Sequence, residues 1–137
     1  MIAIEKGTRQ MKAPLRFDPR VELHEKTDFL ALEDELLEVE VVVADVSFVS
    51  LRKILTQAKK IVPRGADYLV MLKPQFEAFS DQLVNGVVKN ERMRREIMRE
   101  FETWLGRSGF RVVQKRDNET VGKVGKNRER FYWLTVF

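Results

Sequence analysis

Two charged side chains stand where runs of apolar residues stop. Asp45 closes Val39-Glu-Val-Val-Val-Ala-Asp45, and Lys73 closes Tyr68-Leu-Val-Met-Leu-Lys73, with Pro74 directly behind it. A lysine beside an aspartate at neighbouring strand ends is a proton-handling pair. Burial favours the neutral amine and a nearby carboxylate favours the charged one, and a general base works where the two balance. Pro74 has no N–H and a fixed φ, so the strand must end there and the lysine is aimed. A plainer reading stands beside this one: Lys73 lays its stem along the sheet edge, and Asp45 caps a helix. Residue types alone leave both open.

Other polar residues lie at similar places. Glu5 ends an opening stretch, Ile2-Ala-Ile-Glu5, where open α/β sheets place an acid that holds ribose hydroxyls. Asp28-Phe29 follows a short alternating run and suits either an adenine contact or a helix cap. His24, the one histidine, reads as structural, and Phe131, Tyr132, Trp133 and Phe137 read as core and sheet face.

The elements that position these residues follow from periodicity. Four valines around Asp45 predict a strand over 39–45, buried on both faces of a parallel sheet. Leu51, Ile54, Leu55, Ala58, Ile61 and Val62 form one helical stripe, stopped by Pro63 and Gly65. A second strand spans 68–73 and a loop runs to Asn90. Asn90 then caps a helix whose buried stripe is Met93, Ile97, Phe101, Trp104 and Leu105. Strands over 110–115 and 131–137 close the chain as an antiparallel-capable pair. Toward the amino end, short strands over 1–5 and 21–24 precede an acidic helix from Thr27-Asp28 to about Leu37. Strands alternating with helices make the class α/β, and residues 1–137 are read as one domain.

Composition narrows the function. Hydrophobic content of 44% with 34% charged residues fits a folded domain. The absence of cysteine excludes disulfides and thiolate metal sites, and one histidine excludes a multi-histidine metal centre, so no metal is expected. No stretch approaches the roughly 20 apolar residues of a membrane span, and a cytoplasmic location is expected. The net charge of +4 is unevenly spread, with residues 107–130 strongly basic. Lys115, Arg116, Lys123, Lys126 and Arg128 there suit a phosphate backbone, and a solvated face is the plainer reading.

Three stretches together resemble a known family: Ala44-Asp-Val-Ser-Phe-Val-Ser-Leu51, Lys73-Pro-Gln-Phe-Glu77, and Gly86-Val-Val88 ahead of the long helix. They look like the TlyA-type haemolysin branch of the FtsJ-like RNA methyltransferases. Ile2-Ala-Ile-Glu-Lys-Gly7 and Asp18-Pro-Arg-Val21 fit it as well. The resemblance implies a Rossmann-like sheet with helices on both faces. It also implies transfer of methyl from S-adenosylmethionine to ribose 2′-hydroxyls of ribosomal RNA. Of the family's Lys-Asp-Lys-Glu tetrad, it assigns Asp45, Lys73 as the second lysine, and Glu129. It assigns Glu5 to the cofactor ribose, Asp28 and Phe29 to the adenine, and Asp45 to the cofactor also.

The family's first, central strand and its glycine-rich loop should precede Ile2, so this chain is expected to be a carboxy-terminal part of such a domain. Self-association through the incomplete sheet is one expected consequence. A non-catalytic RNA-binding module of the same family is the alternative.

Overall fold

Branched side chains at Val41, Val42 and Val43 restrict χ1 and fit a pleated ladder, and a strand forms over Val41–Ala44 (β3). The computed structural model describes residues 1–32, 37–119 and 127–137. The chain divides into two units, Met1–Glu35 and Leu36–Phe137.

In the first unit, β1 (Ile2–Ile4) runs parallel to β2 (Glu22–His24), with Ile2 opposite Glu22 and Ile4 opposite His24. The crossover holds one helical turn, α1 (Ala13–Arg16), with proline in its first turn, where a missing N–H costs nothing. Arg16 grips Glu25 with both terminal nitrogens, and Glu25 also accepts the Arg9 backbone N–H at 2.6 Å. At the expected start of the acidic helix, the described residues form a three-residue 3-10 turn, Phe29–Ala31, capped by Asp28. Leu32 beyond it is extended. Residues 33–36 lie outside the described residues.

The second unit is built on a four-stranded sheet in the order β3-β4-β8-β7. β4 (Asp67–Leu72) is parallel to β3 and antiparallel to β8 (Arg130–Val136), which is antiparallel to β7 (Phe110–Asp117). α2 (Leu51–Ile61) starts where the Ser50 hydroxyl accepts the Arg52 N–H. α3 (Glu91–Arg107) starts where the Asn90 side chain accepts the Met93 N–H at 2.9 Å, and Gly109 beyond it is left-handed at φ +81°.

Both helices cover one side of the sheet. That side carries Tyr68, Val70, Leu72, Tyr132 and Leu134, all buried against Leu55, Ile61, Phe101 and Leu105. The Phe101 ring meets Tyr132 at 5.5 Å, and Phe110 receives Tyr68 edge-on from the sheet and Lys59 of α2 over its ring.

The opposite side is open. Val43 is 75% exposed, and Leu69, Phe131 and Trp133 are each more than a third exposed. The α/β class is as expected, but the helices expected on both faces lie on one among the described residues. Nor is β3 buried on both faces: among the described residues it is an edge strand, and its alternate side chains, Val41 and Val43, are exposed.

The stretch read as a loop before Asn90 contains a hairpin, β5 (Leu83–Val84) with β6 (Val87–Val88). Asn85 and Gly86 both take positive φ, as a two-residue hairpin turn requires. Among the described residues no helix is long and apolar enough to cross a membrane.

The Arg16 guanidinium holds the Glu25 carboxyl at about 2, well under its ordinary 4.5. A depressed carboxylate contributes stability that is complete above the ordinary value and is lost as pH falls through the folded one. Glu25→Gln should therefore lower the thermal midpoint at neutral pH, with the gap narrowing as pH is lowered from 4.5 toward 2. A gap independent of pH would contradict this.

Candidate active site

One end of the four-stranded sheet gathers the charged candidates. Asp45 directly follows β3, Lys73 directly follows β4, and Glu129 directly precedes β8. Leu72 stands opposite Arg130 in the antiparallel ladder. One step further out, the same register sets Lys73 opposite Glu129. Side chains alternate along a strand, so Lys73 falls on the side of Leu69 and Met71, Asp45 on that of Val43, and Glu129 on that of Phe131. All three belong to the open face. Asp45 of these three lines a cavity of about 530 Å³ on that face, together with Val43, Met71, Asn118, Phe131 and Trp133, among others.

Lys73 and Asp45 are in contact. Lys73 Nζ lies 2.7 Å from Asp45 Oδ1 and donates to Ser47 Oγ at 2.9 Å. The lysine side chain is only 15% exposed while the carboxylate is 60% exposed, so the amine sits inside and the acid at the rim. Asp45 does not cap α2; Ser50 does. The Glu129 carboxylate accepts from Asn118 Nδ2 at 3.3 Å, and its carbonyl from the Asn118 N–H at 3.0 Å.

Two further ties fix these strand ends, and the sequence alone did not point to them. Glu77, four residues past Lys73, is 2% exposed in its side chain. It accepts from the Ser50 hydroxyl and the Leu51 N–H, and Arg52 Nε lies 3.4 Å away. Burial pushes its carboxyl up, against the hydrogen bonds from Ser50 and Leu51 and the charge of Arg52. Glu77 thus clamps the loop after β4 to the loop after β3.

On the other flank, buried Arg94 donates through Nε to the Arg128 carbonyl at 2.9 Å and pairs with Asp117 at 3.0 Å. Asp117 also takes Arg130, which holds its carboxyl low. That network pins the backbone entering β8, where Glu129 sits.

The remaining candidates are placed as follows. Lys115 is paired with Glu102 at 2.8 Å and Arg116 with Glu119 at 3.1 Å, while Arg128 is exposed. Lys123 and Lys126 lie outside the described residues. In the first unit, Glu5 accepts the Gly7 N–H at 2.6 Å, Asp28 takes Lys6 at 2.9 Å and the Leu30 N–H, and Phe29 opens the 3-10 turn.

The sequence profile of the FtsJ-like methyltransferases matches residues 1–135. The chain is 33% identical over 137 residues to the 16S/23S rRNA (cytidine-2'-O)-methyltransferase TlyA of Mycobacterium tuberculosis, covering 98% of this chain and 51% of the relative. It is 28% identical over 133 residues to the 23S rRNA (cytidine-2'-O)-methyltransferase TlyA of Campylobacter jejuni, covering 96% and 51%. A solved structure described as a hemolysin of Streptococcus thermophilus superimposes with a TM-score of 0.88 at 29% identity, covering 98% of this chain and 50% of that one. The chain spans about half the length of the curated relatives it matches.

Removing the Glu77 clamp strands the Leu51 N–H and the Ser50 hydroxyl. Glu77→Ala should lower unfolding free energy by about 1–3 kcal/mol, the cost of leaving such groups unpaired. Glu77→Gln should recover part of that loss. Denaturant melts of the three proteins check this, and an alanine variant as stable as the native protein would contradict it.

Proposed function

The chain belongs to the FtsJ-like methyltransferase family, and on that premise we propose that it serves S-adenosylmethionine-dependent 2′-O-methylation of ribosomal RNA. The observation that carries this reading is the Lys73–Asp45 contact at 2.7 Å, at the sheet end where Glu129 is next in register. The names of the relatives support ribosomal RNA as the substrate class.

In this reading Lys73 takes the proton of a ribose 2′-hydroxyl. Asp45 and Ser47 hold the amine in one direction, so the lysine meets the hydroxyl without first being ordered. Asp45 draws the ammonium that results, and Glu129 orients from across the ladder. S-adenosylmethionine, when bound, supplies a methyl group made electrophilic by its sulfonium.

For that cofactor the contacts proposed within the first unit are Glu5 to the ribose and Asp28 and Phe29 to the adenine; within the second unit, Asp45 is proposed by the family resemblance. Glu5 and Asp28 are already oriented by Gly7, Lys6 and Leu30, and each carboxylate retains lone pairs for a hydroxyl or amino donor. Within the first unit, Glu5 and Asp28 therefore fit a ribose hydroxyl and an adenine amino group. Lys115, Arg116 and Arg128 are proposed for RNA phosphates, with Lys123 and Lys126 assigned on sequence alone. A cytoplasmic location belongs to the same proposal.

The test is transfer of labelled methyl from S-adenosylmethionine to ribosomal RNA. Lys73→Ala should reduce transfer by about a hundred-fold or more, the range for loss of a general base, with the circular dichroism spectrum unchanged. Lys73→Arg should be equally impaired, because a guanidinium does not give up its proton. Full transfer by Lys73→Ala would contradict the assignment.

A further inference from the structure

A second cavity, of about 430 Å³, opens beside the strand ends. Pro74, the residue after Lys73, lines it, and so does Arg128, the residue before Glu129. The cavity therefore begins one residue away from two of the three catalytic candidates. Its wall also holds Lys89, Glu91, Arg94 and Asn127.

That wall is tied in place. Asn127 uses both ends of its amide on the β5–β6 hairpin, accepting the Val88 N–H at 2.9 Å and donating to the Gly86 carbonyl at 3.0 Å. Arg94 donates to the Arg128 carbonyl at 2.9 Å, and its charge is met by Glu91 at 3.1 Å and Asp117 at 3.0 Å. Arg94 and Asn127 thus serve the wall itself. Lys89 and Arg128 do not. Both side chains are exposed, and neither has an ion-pair partner among the described residues. Glu91, the carboxylate of the wall, is already opposed by Arg94. α3 begins in the same wall, and the positive end of its dipole adds to the same sign. Fixed walls with two uncommitted cations suit an anion.

We propose that this cavity holds a backbone phosphate of the RNA strand, next to the ribose that meets Lys73, with Lys89 and Arg128 as its two cations. This rests on the reading of the site as acting on RNA. Every internal ribose of an RNA strand carries a phosphate on its 3′ oxygen, adjacent to the 2′-hydroxyl, and another on its 5′ oxygen. A strand that brings a 2′-hydroxyl to Lys73 therefore brings a phosphate close to Pro74 and Arg128. Phosphate contacts fix the register of a strand and carry no sequence information. The cavity thus sets which hydroxyl faces the lysine without choosing the base. It gives Arg128 a defined role and brings in Lys89 from another part of the chain.

The experiment measures binding of this chain to short single-stranded oligoribonucleotides of two unrelated sequences, by fluorescence anisotropy over a range of salt concentrations. For a single strand, each phosphate contact contributes about 0.7 to the slope of log affinity against log salt. Lys89→Ala and Arg128→Ala should each make the slope shallower by that amount. The double variant should lose about twice as much, equally for both sequences. Arg128→Lys should keep the native slope, because the slope counts charges. Arg64→Ala is the control: Arg64 is exposed in the turn before β4, at the opposite end of that strand from Lys73, and its loss should leave the slope unchanged. The circular dichroism spectrum should be native throughout.

An unchanged slope in the double variant would overturn the proposal. So would an equal fall in Arg64→Ala, a loss confined to one sequence, or no RNA binding by the native chain. Binding is read without methyl transfer, which separates this inference from the catalytic one. A native slope in the double variant removes only the phosphate site, while full transfer by Lys73→Ala removes only the base.

Discussion

The register of three neighbouring strands is the constraint on which the site depends. β3 and β4 run in parallel, so their carboxyl ends share an edge, and β8 returns antiparallel with Arg130 opposite Leu72. Asp45, Lys73 and Glu129 each stand one residue outside that ladder, on the same face. A slip of one residue in either pairing would send a charged side chain toward Tyr68 and Tyr132, against the helices. The buried aromatic residues therefore fix the placement of the catalytic candidates, because the register that buries the one set aims the other.

The strand ends are held as well as aimed. Lys73 binds Asp45 and Ser47, Glu77 binds Ser50 and the start of α2, and Phe48 rests on Phe76. Three kinds of contact join the same two loops. On the far flank, Arg94 ties Arg128 and Asp117 together behind Glu129. These contacts give the lysine a preorganised setting, which is where a proton transfer gains most. The open face below, with Val43, Leu69, Phe131 and Trp133 showing, belongs to the same surface as the charged candidates.

Much of this was legible in the residues. The apolar runs before Asp45 and Lys73, with Pro74 as a stop, located both strand ends, and the stripes at 51–62 and 93–105 located both long helices. Other features leave no local trace. Valines at 41–43 state a strand but not whether a helix covers each side of it. Thr27-Asp28 reads as the start of a helix, but the described residues there form only a 3-10 turn and Leu32 is extended. Glu77 finds its partner 26 residues upstream, and Lys73 faces Glu129 only because β8 inserts between β4 and β7. Pairing order of that sort is a tertiary property. The Asn85-Gly86 turn, by contrast, is a local hairpin signal that the sequence carries.

Where the methyl group lands is the most direct test of the account. Ribosomal RNA incubated with the protein and methyl-labelled S-adenosylmethionine can be digested to nucleosides and the label assigned by mass spectrometry. The account predicts label on the ribose 2′-oxygen, because the proposed role of Lys73 is to deprotonate a hydroxyl. Label on a base nitrogen or carbon, or no label in RNA, would contradict it.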